Sequence, residues 1–122
     1  MDYITAVTVH RVEADQQHEA EKMLAQRHRE AAETERLYRE ALAREITTLQ
    51  AAGKPATVAR DLARGDKHVA ELQFKRNLAE GMVDAAQQSI WRHTANRRDL
   101  EQFIEWSKRA SFLDTQDQPE RR

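Results

Sequence analysis

Alternating steps of four and three residues from Val58 meet Val58, Leu62, Gly65, Val69, Leu72, Arg76, Ala79, Val83, Ala86, Ile90, His93, Arg97, Leu100 and Ile104, and ten of these fourteen are apolar. The walk crosses six heptads without a proline. It therefore predicts one long helix that buries a narrow stripe against another helix. A stripe of this kind cannot be satisfied by the helix that carries it, so the pattern implies packing within the chain and association beyond it.

Composition narrows the fold further. At 122 residues there is room for one domain, and 34% charged residues with only 3 glycines and 2 prolines suit long solvated helices rather than a sheet-containing globule. The net charge of -1 supplies no global field toward nucleic acid or a membrane surface. The chain has no cysteine, which excludes disulfides and thiolate chemistry and accords with a reducing cytoplasm. Residues 1–12 carry Asp2 and Arg11 and do not read as a signal peptide, and no run approaches the roughly 20 apolar residues of a membrane span. The expectation is a cytoplasmic protein with no membrane partner.

The first half repeats the plan in weaker form through Tyr3, Val7, His10, Ala14, Gln17, Glu21, Leu24, His28, Ala31, Glu35, Tyr38, Leu42, Glu45 and Leu49. Its interval from Asp15 to Arg36 is mostly polar or alanine and should pack more loosely. Ala52-Gly53-Lys54-Pro55-Ala56 separates the halves. Gly53 suits a left-handed helix end, Pro55 the start of a new helix, and Thr57 a cap. The resulting expectation is an all-α, coiled-coil-like antiparallel hairpin over residues 1–113, with a helix at about 2–52, a turn at 53–56, a helix at about 57–112 and a polar tail at 114–122. The β-branched Ile4, Thr5, Val7, Thr8, Val9 and Val12 leave an intermolecular strand as the alternative for the first dozen residues. Helix is preferred, because it matches the lengths of the two arms.

A turn at 53–56 makes facing positions sum to about 109. Arg76 then faces Glu33 to Glu35, Arg97 faces Glu13 and Arg64 faces Glu45, which penalises wrong registers. In the same register Phe103, Trp106, Ala110 and Leu113 form a second apolar row beside Leu100 and Ile104 and face Tyr3, Ala6 and Val7. Trp91 stands one step off the seam. Tyr3, Val7, Trp91, Leu100, Phe103, Ile104, Trp106 and Leu113 are thus the interface candidates, and a symmetric dimer forming a four-helix bundle is the simplest way to cover them.

Other chemistry is poorly represented. Asp15 and His18 have carboxylate-x-x-His spacing, but the residues three before His68 and His93 are Gly65 and Ile90, so no second such pair completes a metal site. No phosphate loop, HExxH or nucleophile elbow occurs, and no catalytic, cofactor-binding or metal-binding residues are assigned. Trp91, Arg92, Arg97 and Arg98 form a basic and aromatic stretch that could hold a nucleic-acid backbone and stack a base. Residues 81–113 carry a net charge of only +1, which favours a solvated helix face.

The Gly53-Lys54-Pro55-Ala56-Thr57-Val58-Ala59-Arg60 corner, between an Ala/Arg/Glu-rich helix and one equally long, resembles small helical-hairpin proteins of tailed bacteriophages and prophages. That resemblance implies a role in the host cytoplasm and brings no catalytic residues with it. The functional expectation is a non-enzymatic protein-interaction module acting as adaptor, scaffold or inhibitor. A nucleic-acid-binding accessory protein using residues 91–98 is the alternative.

Overall fold

In the computed structural model the described residues are 1–117, and side chains are described through Asp114. These residues are helical almost throughout, with α1 at Tyr3–Ala51, α2 at Ala56–Gly65 and α3 at Lys67–Asp117, and none of them is in a strand. The first dozen residues are helix. Asp2 caps α1 by accepting the Thr5 amide at 2.7 Å, and the Thr8 hydroxyl donates to the Ile4 carbonyl at 3.0 Å. The Thr5 amide holds the Asp2 carboxyl below the ordinary aspartate range. Local capping and the hydrogen bonds of a long helix thus outweigh the modest cost of β-branched residues.

The end of α1 is built as the sequence predicts. Gly53 takes a φ of +94°, the Lys54 amide donates to the Leu49 carbonyl and the Gly53 amide to that of Gln50, each at 3.0 Å. This pairing is a Schellman motif, which satisfies carbonyls that the helix end would leave open. Pro55 is extended and stands at the N-cap of α2. Thr57 lies inside α2 rather than capping it, a correction that follows from Pro55 already having the extended backbone a cap requires.

The expected single helix at about 57–112 is instead two helices. Gly65 ends α2 and Asp66 is extended, with its carboxylate accepting the amides of His68 and Val69 at 3.1 Å each. Asp66 is therefore at once the stop of one helix and the N-cap of the next. The break also moves the buried face. Ala59 and Ala63 are fully buried while Val58 and Leu62 of the predicted seam are exposed, and from Val69 onward every seam position through Ile104 is at least half-buried. Residues 114–117, expected as tail, belong to α3, and the rest of the predicted tail lies outside the described residues.

The chain packs as two compact units. One joins Met1–Lys22 to the chain from Gln87 onward, and the other is Met23–Ala86. The core of the second consists of Tyr38, Ala59, Ala63, Val69 and Ala79, and that of the first contains Ala6. Four of these six buried residues are alanine.

Candidate interaction surface

In the unit formed by Met1–Lys22 and the chain from Gln87, polar contacts join α1 to α3. The ring of His93 donates from Nδ1 to Glu13 at 2.5 Å, His10 meets Glu101 at 2.9 Å, and Arg97 donates to Gln17 at 2.9 Å. The hydrogen bond from His93 holds the Glu13 carboxyl below its ordinary range, and that from His10 does the same for Glu101. Glu13 was expected to pair with Arg97. The imidazole one turn earlier on α3 reaches it instead, and Arg97 turns to Gln17 with its Nε buried and unpaired.

The same unit carries all the interface residues expected from sequence. Leu100, Phe103, Ile104 and Val7 are half-buried, and Tyr3 and Leu113 are exposed. Trp91 is 62% exposed and Trp106 is 65% exposed. The rings of Phe103 and Trp106 lie 6.1 Å apart at 40°, a tilted aromatic pair within one helix. Arg92 and Arg98 are exposed, whereas Arg97 is half-buried and engaged with Gln17, so the basic stretch presents fewer free cations than its sequence suggests.

In the unit Met23–Ala86 the central polar contact is Arg76, half-buried and 3.4 Å from Glu35. Its guanidinium carbon stands 4.5 Å above the Tyr38 ring, a cation–π contact inside the unit. Arg64 and Glu45, also expected to meet, form no ion pair among the described residues. On the solvated side of α1, Arg36 bridges Glu33 and Glu40, and this keeps the Glu33 carboxyl low and the guanidinium charged.

Beside this contact runs a groove of about 430 Å³ lined by Arg27, Glu30, Thr34, Lys75, Leu78, Ala79 and Met82. Its rim charges are neutralised locally, with Arg27 on Glu30 at 3.1 Å and Lys75 on Glu71 at 3.7 Å. Phe74 is 66% exposed and Leu78 57% exposed along its α3 wall. This row lies outside the seam through Val69, Leu72, Arg76 and Ala79 and outside the second apolar row that begins at Phe103. Its signal is an i, i+4, i+8 set, Phe74, Leu78 and Met82, on the side of α3 away from the buried seam.

Asp15 and His18 are both exposed, and no group of three His, Asp or Glu able to hold a metal ion forms among the described residues. None of the described helices is long and apolar enough to cross a membrane. No known protein family, curated protein or solved structure shows significant similarity to the chain.

Proposed function

We propose that this chain is a non-enzymatic interaction module: an antiparallel helical hairpin that associates through its apolar faces and serves as adaptor, scaffold or inhibitor for a protein partner. One observation carries the reading. Four of the six buried residues are alanine while Phe74, Leu78, Trp91, Trp106, Phe112 and Leu113 stand exposed, and large apolar side chains left outside are what an element built to pack against others would have.

Leaving two exposed tryptophans wet forgoes several kcal/mol at roughly 25 cal/mol per Å² of apolar area. Association at micromolar concentration is the expected consequence. Sedimentation across the micromolar range is the test. A species heavier than the chain's 14.2 kDa supports self-association, and a monomer at every concentration removes it. Nucleic-acid binding through Trp91, Arg92 and Arg98 is the second reading, supported by the exposure of all three and weakened by the engagement of Arg97.

A further inference from the structure

The two compact units are not held equally. In Met23–Ala86 the helices close over Tyr38, Ala59, Ala63, Val69 and Ala79, and half-buried Leu42, Ile46 and Leu49 extend that packing along α1. In the other unit Ala6 is the one buried residue among those described. The α1 arm of that unit, residues 1–22, covers no apolar side chain larger than valine. Ala6, Val7, Val9, Ala14 and Ala20 are buried or half-buried, while Met1, Tyr3, Ile4 and Val12 are exposed. On α3, Ile90, Leu100, Phe103 and Ile104 are no better than half-buried with the arm in place.

Polar contacts tie the arm to α3 instead. They are His93 with Glu13, His10 with Glu101 and Arg97 with Gln17. On release each of these partners finds water, so the net contribution of such a bond is modest, whereas buried apolar area has no such substitute. For Arg97 release is a gain, because its buried Nε has no partner while the arm is closed.

We propose that residues 1–22 are a releasable arm, which parts from α3 while the unit Met23–Ala86 stays folded. Local openings of this kind are drawn from the regions with the fewest buried apolar contacts. A freed helical end of this length is marginal in water, and the β-branched residues between Ile4 and Val12 lower its propensity further, so the released arm frays. Opening exposes Leu100, Phe103 and Ile104 next to Trp106, whose ring already stands 6.1 Å from that of Phe103. The arm thereby gates how much of the apolar row on α3 faces water. Its release does not depend on self-association.

Amide hydrogen exchange of the full chain near neutral pH tests the arm residue by residue. The amides of residues 7–17 and 90–104 are expected to share one protection factor, at least about 30-fold below that of the slowest amides in 23–86. Val69→Ala gives a second readout. Val69 is packed in the closed and the arm-open states alike, so truncating it leaves the balance between them unchanged while favouring full unfolding. The slowest amides of 23–86 are expected to exchange at least about fivefold faster in this variant, with those of the arm unaltered.

Equal protection in the two units overturns the proposal, as does an arm accelerated by Val69→Ala to the same extent as 23–86, since either means that the arm opens only when the whole chain unfolds. Protection that climbs evenly from Tyr3 inward, with no common value, also overturns it and shows simple end-fraying. Runs at two concentrations about tenfold apart keep association separate. Protection that rises with concentration reports self-association, and the dilute run decides on the arm.

Discussion

Arg76 on α3 and Glu35 on α1 stand 3.4 Å apart across the core of the unit Met23–Ala86, with the Tyr38 ring beneath the guanidinium. The pair is half-buried, so its charges are screened less than those on the surface. Arg76→Glu is expected to destabilise this unit, and adding Glu35→Arg to restore part of the loss. A double-mutant cycle in urea should give a coupling of about 1 kcal/mol; a coupling of zero would show that the contact does not control register. Tyr38→Phe keeps the ring and should cost little, whereas Tyr38→Ala should cost about 3 kcal/mol through the cavity it leaves.

Acid is expected to act first on the other unit. Glu13 and Glu101 titrate below the ordinary glutamate value because His93 and His10 donate to their ionised forms. A carboxylate depressed in the folded state contributes stability that is fully present above the unfolded value and is lost as pH falls through the folded one. Amide protection in residues 1–22 and 87–117, where these contacts join α1 to α3, should therefore fall as pH drops below about 4, whereas protonating Glu33 in the other unit removes only its contact with Arg36 on the same helix. His93→Ala should move the Glu13 midpoint upward in carboxyl-detected NMR, and an unmoved midpoint would refute the assignment.

Asp66 holds the break between α2 and α3 through two amide hydrogen bonds. Asp66→Ala removes the cap and is expected to cost about 1 kcal/mol, read as a lower urea midpoint. Gly65→Ala combined with Asp66→Ala should let the helices fuse, carrying Val58 and Leu62 toward the buried face and displacing Ala59 and Ala63. Reduced exchange at residues 64–68 in the double variant would report that fusion.

A single-stranded oligonucleotide separates the two functional readings. Phosphate contacts release counterions, so binding through Arg92 and Arg98 would weaken steeply between low and physiological salt. The interaction-module reading expects no retardation at about 0.15 M salt. Retardation that is lost on Arg92→Ala with Arg98→Ala would favour the nucleic-acid reading.

Helicity, the corner at Gly53 and Pro55, the seam from Val69 to Ile104 and the meeting of Arg76 with Glu35 were legible in the sequence. These features follow from periodicity and from turn residues whose backbone preferences are intrinsic. The break at Gly65 and Asp66 was not legible in the seam, whose four-and-three walk runs through Gly65 without interruption. A glycine followed by an N-capping aspartate was the available signal.

Tertiary structure decided the rest. Periodicity sets which face of a helix is apolar, but the partner of Glu13 depends on differences of a few ångströms in where facing side chains reach, and there the imidazole of His93 arrives ahead of the guanidinium of Arg97. The change of face from Val58 and Leu62 to Ala59 and Ala63 likewise arises from one extended residue, Asp66, whose backbone rotates everything before it relative to the seam. Sequence alone determined that the chain is helical and carries more apolar surface than a thin stripe can bury. Only packing determined which of that surface stayed outside, because small alanines fit the close approach between helices and the larger Phe74, Leu78, Trp91 and Trp106 were left facing water.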